Sequence, residues 1–163
     1  MKPLTEQEIR AAFVNCTKGE AKRLNIPRDL AEQPWSDLDY LGWRDPQAPD
    51  RAYLVTEIDG RPQAVALRGA RRVPGQARAS MCSICLTTHD AGVSLMVAPK
   101  AGPAGKQGNS VGAYLCTDLD CSLYTRGIKQ VRAAMKMNET LTVDEKIART
   151  AANVEAFLAK VID

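Results

Sequence analysis

Two short cysteine pairs constrain this chain more than any other feature. Cys82-Ser-Ile-Cys85 and Cys116-Thr-Asp-Leu-Asp-Cys121 form a C-x2-C and a C-x4-C, with residues 86–115 between them. Thiolates at such spacings can fold their backbone around one ion, and zinc takes four tetrahedral sulfur ligands in this way. Four protein ligands leave no position for water, so the expected site is structural and not catalytic. Two alternatives stand beside this reading: a redox-active C-x-x-C, and two unrelated pairs of buried cysteines. A redox pair ordinarily sits in a βαβ setting, which is not predicted here. The cysteines number five, too few and odd in count for a secreted disulfide framework. The N-terminus has no apolar run of signal-peptide length, and no stretch approaches the roughly 18 apolar residues of a membrane span. The cytoplasm is the expected compartment, without a membrane partner.

The elements around the cysteines follow from local signals. Thr5-Glu6-Gln7-Glu8 reads as a capping box, opening a helix over about 5–23 with Ile9, Ala12, Phe13 and Cys16 on its apolar stripe. Cys16 there is a small buried hydrophobe. Trp35, Tyr40, Leu41 and Trp43 are core anchors. Asp59-Gly60 between two β-favouring runs predicts a hairpin over about 52–68. A zinc module over about 80–137 holds a second strand pair, Gly92 to Ala98 and Ser110 to Leu115, joined by a mobile Lys100–Asn109 connection. A helix then runs from Cys121 to about Met137. The last helix, about 142–162, starts with the capping box Thr142-Val143-Asp144-Glu145 and carries Ile147, Ala151, Val154, Leu158 and Val161 on one stripe. Knuckle, hairpin, then cysteines at a helix start is the layout of a treble-clef zinc finger. The expected class is α+β: one domain, 1–163, with that finger on a small antiparallel sheet and helices flanking it at both termini.

Enzyme chemistry has little to work with. The one histidine, His89, reads as a surface loop residue, with zinc ligation as its alternative, and no nucleophile–base pair is evident. Asp118 and Asp120 suit local turn and helix-start hydrogen bonding. Charge is more informative. From Arg68 to Lys136 there are 10 Lys/Arg against 3 Asp/Glu, while the remainder holds 12 against 16. Lys100, Lys106, Arg126, Lys129 and Arg132, with Tyr114 and Tyr124 near them, are the candidate partner-binding residues, although each could equally be a solvated charge or a core tyrosine. Arg71, Arg72 and Arg78 make a second basic cluster. Such a patch speeds encounter with an acidic protein or with RNA phosphates.

Leu41-Gly42-Trp43-Arg44-Asp45-Pro46, the Asp59-Gly60 hairpin ending in Ala66-Leu67-Arg68, and the order Cys82-x2-Cys85, Cys116-x4-Cys121 together resemble a known family. It is the C-terminal treble-clef domain of elongation factor G-binding proteins, the fusidic acid resistance proteins of the FusB type, and the similarity runs from about Thr5 to Ile162. The resemblance implies a zinc module that binds elongation factor G on the ribosome and promotes its release when fusidic acid traps it; a non-enzymatic monomer is expected. The resistance proteins carry an additional N-terminal helical domain, and their second ligand can be histidine where Cys85 stands here. An RNA-binding zinc module on ribosomal or transfer RNA is the alternative, weakened by the scarcity of aromatics for base stacking.

Overall fold

The computed structural model describes residues 1–69, 80–90, 92–131 and 139–163. Its strands are β1 (Tyr40–Arg44), β2 (Arg51–Ile58), β3 (Arg61–Gly69), β4 (Ser80–Met81), β5 (Thr88–His89), β6 (Val93–Pro99) and β7 (Ser110–Cys116). Five of them form one antiparallel sheet in the order β1-β2-β3-β6-β7, and β4 with β5 make a separate two-stranded ribbon. Its helices are α1 (Glu6–Ala11), α2 (Lys18–Arg23), α3 (Gly102–Lys106), α4 (Cys121–Thr125) and α5 (Val143–Ile162). This is the α+β architecture the sequence predicts.

The β2–β3 hairpin turns on Asp59 (φ 50°) and Gly60 (φ 71°), and Ile58 faces Arg61 across the turn. Both turn residues need positive φ, which the Asp-Gly pair tolerates and whose twist matches the strands. Residues 52–56 of β2 are buried without interruption, because this strand lies between two layers. On one face Leu54, Val65, Leu67, Met96 and Leu115 pack with Val154, Phe157, Leu158 and Val161 of α5, and the four paired cysteines belong to this core. On the other face Tyr53, Val55 and Ala64 pack with Ile9, Trp35, Leu41 and Trp43. All four predicted anchors, Trp35, Tyr40, Leu41 and Trp43, are buried.

Three local expectations need correction. The helix over 5–23 is two helices. Thr17 and Glu20 form a second capping box that starts α2 afresh, and the intervening chain pairs with β3 through Val14 N–H to Ala64 O (3.0 Å) and Ala64 N–H to Ala12 O (2.9 Å). Cys16 therefore sits half-exposed between α1 and α2 and not on a helical stripe. Among the described residues β3 and β6 pair at Arg68–Val97 and Gly69–Met96, so the two strands part next to Ala66. The Asn15 amide fills the split, donating to Ala66 O (2.9 Å) and Pro99 O (3.0 Å) and accepting from Ala66 N–H (2.8 Å).

The Lys100–Asn109 connection is built, containing α3 and closed by Lys100 N–H to Asn109 O at 2.9 Å. Gly105 is required there, since a Cβ would lie 1.8 Å from the Lys100 carbonyl oxygen. The helix from Cys121 ends at Thr125 and not near Met137: Gly127 takes φ 71°, and Ile128 and Lys129 both donate to Leu123 O. Residues 132–138, the rest of that expected helix, lie outside the described residues.

Candidate metal centre

Two tight turns bring the cysteines together. The first hangs from the β4–β5 ribbon, where Cys82 N–H donates to Thr87 O and Leu86 N–H to Cys82 O, both at 3.0 Å. The amide of Ile84 points at Cys82 Sγ from 3.4 Å. Leu86, just past Cys85, adopts φ 57° to leave the turn. The second follows the end of β7, where Leu119 N–H donates to Cys116 O and Leu119 itself sits at φ 64°. Cys121 then opens α4.

The four buried sulfurs lie within 4.8 Å of one another. Cys82 and Cys121 are 3.6 Å apart, as are Cys85 and Cys116. A disulfide needs about 2.0 Å, so all four are separate thiols. A zinc tetrahedron with Zn–S near 2.3 Å has edges of about 3.8 Å, close to the spacing found. The electrostatics point the same way. Without a metal, hydrogen bonds from Cys116, Cys121 and Cys85 hold the Cys82 thiol far below its ordinary pKa, while burial pushes Cys121 well above it. Four thiolates cannot share this pocket unaided, and a divalent cation removes the conflict. Tyr40 adds a further sign. Its buried hydroxyl has no hydrogen-bond partner and lies against Cys121, Cys82 and Cys116, where a metal-held thiolate would accept from it. The donor set fits one structural zinc ion, with Cys82, Cys85, Cys116 and Cys121 as the residues that would hold it. Among the described residues no other such group of metal-binding side chains gathers.

His89 is not a surface residue. It is 5% exposed, its Nε2 lies 3.3 Å from Cys116 Sγ, and its ring meets Tyr124 edge-on at 4.9 Å. Burial pushes its pKa down, so the neutral ring can offer an N–H to the sulfur. Such a bond withdraws charge from a thiolate and fixes its direction, as partners behind metal ligands generally do. Gly92 makes room for the ring, since a Cβ there would stand 2.4 Å from Nδ1. No sequence signal could place His89, because β4 and β5 are two residues each and too short to show a period.

Neighbouring elements are tied to these turns. Gly42 on β1 leaves space for Leu119, whose Cβ would be 2.5 Å from an added Cβ. Arg44 Nε donates to Thr117 O at 2.5 Å. From α5, Asn153 Nδ2 donates to Ile84 O (2.8 Å) and Arg149 Nη2 to Cys85 O (3.4 Å).

The candidate partner-binding residues divide. The Arg126 guanidinium forks onto Asp39, at 2.7 and 2.9 Å, with the two side chains 15% and 7% exposed. Lys129 bridges Asp118 (2.8 Å) and Asp120 (2.5 Å) and lies over the Tyr124 ring, whose hydroxyl donates to Asp118 at 2.7 Å. These three hold the fold together around the second turn. Lys106 is exposed, Lys100 half-buried, and Tyr114 53% exposed. Arg132, Arg71, Arg72 and Arg78 lie outside the described residues. Among the described residues no helix is long and apolar enough to cross a membrane.

Comparison with known proteins agrees with this geometry. No curated protein matches the sequence. The fold is similar to the solved structure of the fusidic acid resistance protein FusC, with a TM-score of 0.56 and 18% identity. That likeness covers 88% of this chain and 54% of the FusC chain, so the protein spans about half the length of that neighbour. A profile for the FBP C-terminal treble-clef zinc-finger matches residues 8–161, and the chain belongs to that family.

Proposed function

We propose that this protein is a zinc-stabilised binding module of the translation apparatus whose partner is elongation factor G. On this reading it engages the factor in the cytoplasm, one to one, and frees it from the ribosome when fusidic acid holds it there. The observation that carries the proposal is the family match over residues 8–161 on a chain whose metal centre is closed. Four sulfurs complete a tetrahedron, so the zinc supports a surface and has no position at which to activate water. The likeness of fold to a fusidic acid resistance protein supports the same assignment. Of the contact residues expected from the sequence, Lys100, Lys106 and Tyr114 stand available, whereas Arg126, Lys129 and Tyr124 already have partners within the fold.

Titration calorimetry of the zinc-loaded protein with purified elongation factor G tests this directly. A one-to-one complex that weakens as salt rises is the expected result, since exposed charges are screened over about 10 Å at 0.1 M. No heat at either low or moderate salt defeats the reading. Tight binding to ribosomal RNA in parallel samples would move the assignment to RNA.

A further inference from the structure

Among the described residues, the β6–β7 hairpin shows an apolar face that neither core uses. Register places Leu95 opposite Tyr114, and Val97 between Arg68 on one side and Gly112 on the other. The side chains alternate: Met96, Ala98 and Leu115 enter the α5 core, so Leu95, Val97 and Tyr114 lie on the opposite face. Leu95 and Val97 are half-buried and join neither hydrophobic cluster of the described residues, and Tyr114 is 53% exposed. Apolar side chains in mid-strand ordinarily serve a core, so a face left outside both cores points to a partner.

Gly112 sharpens the inference. A glycine inside a strand weakens it and often marks a place where another backbone comes close. Among the described residues nothing demands it: its φ is not positive, and an added Cβ would make only ordinary contacts, 3.5 Å from Leu95 Cδ1 and 3.8 Å from Val97 Cγ2. The missing side chain leaves a notch on β7, an edge strand of the sheet, beside Leu95 and Val97 of β6.

Cations outnumber acids around the face: Arg68, Arg23 and Arg51 line the cleft beside it against Glu20 and Asp45. Arg68 flanks Val97, and Lys100 and Lys106 follow at the end of the hairpin; among the described residues none of the three forms an ion pair. The two acids in the cleft beside Arg68 are already engaged, Asp45 by Asn25, Tyr53 and Gln47, and Glu20 by Thr17. We propose that Arg68, Leu95, Val97, Gly112 and Tyr114, bordered by Lys100 and Lys106, form the docking surface for a protein that presents an apolar ridge edged with carboxylates. The inference rests on the functional reading above and places its interface on the sheet, away from Arg126 and Lys129. An exposed tyrosine beside an apolar notch is the kind of contact that dominates interface energetics, while the cations steer encounter.

Two variants test it against elongation factor G by calorimetry. Gly112→Thr fills the notch with a residue that strands favour, so its melting temperature should match or exceed that of the wild type. Its affinity should nevertheless fall by tenfold or more. Arg68→Glu should weaken binding several-fold and flatten its salt dependence. Zinc content and thermal melts confirm that both variants are folded. If the wild type binds and both variants bind equally well, the surface is wrong and the functional reading stands. If the folded wild type does not bind, both fail together.

Discussion

A Cys121→Ser variant, or the wild type stripped by a strong chelator, is expected to lose the zinc module and most of α5. Structural zinc contributes an apparent 10–16 kcal/mol, roughly, in small fingers, whereas a whole domain is usually stable by about 5–15 kcal/mol. Losing one ligand therefore outweighs any single packing change in this chain. The damage should also be directional. The cysteines lie in the core shared with Val154, Phe157, Leu158 and Val161, and Trp35 and Trp43 lie in the other. Far-UV circular dichroism should drop as the metal leaves, while the tryptophan environment changes less. Restoring zinc should restore the signal in the wild type and not in the variant. A stripped protein with an unaltered spectrum and melting curve would show that the four sulfurs are merely packed.

Removing the Asp39 carboxylate should be the next most damaging change. Arg126 and Asp39 are 15% and 7% exposed in their side chains, and they join α4 to the start of β1. Ser122 Oγ accepts from Asp39 N–H at 2.9 Å, and Thr56 Oγ1 donates to Asp39 O at 2.8 Å, so the pair is held from several sides. Breaking a buried pair leaves an uncompensated charge and costs about 3–5 kcal/mol. For a domain of this size that lowers the melting temperature by about 10 °C. Asp39→Ala and Arg126→Ala should each show it, and Asp39→Leu with Arg126→Met together should recover much of the loss, because no charge is then stranded. A drop near the ~0–1 kcal/mol of an exposed pair would return Arg126 to the list of free surface charges.

These residues also show what the sequence could and could not reveal. Cys82, Cys85, Cys116 and Cys121 were legible because a tetrahedral ion needs four close ligands, and short spacings record that need. The Asp59-Gly60 turn and the two predicted capping boxes were legible for the same reason, as each is a local solution to a local problem. Thr17-Lys18-Gly19-Glu20 carried an equally local signal, which the continuous apolar stripe of residues 9–16 hid. Arg126 and Asp39 are 87 positions apart, and Arg44 and Thr117 are 73 apart. No spacing rule reaches across such gaps. Charge counting could therefore not show that Arg126 and Lys129 have acidic partners within the fold. His89 was misplaced because its setting comes from Tyr124 and Gly92, residues that only the finished fold brings near.

The hydrogen bonds from Asn153 and Arg149 to the carbonyls of Ile84 and Cys85 have a consequence for the protein's life in a cell. They make the metal-binding turn the seat on which α5 rests, so the helix stays down only while that turn keeps its shape. Once zinc is withdrawn, a 20-residue helix with Val154, Phe157, Leu158 and Val161 along one side loses its seat. Proteases and chaperones act on such transiently exposed apolar segments. Abundance should then follow zinc supply even when synthesis is constant: a pulse-chase in zinc-depleted cells should show a several-fold shorter half-life, and an unchanged one would mean that α5 remains seated without the metal.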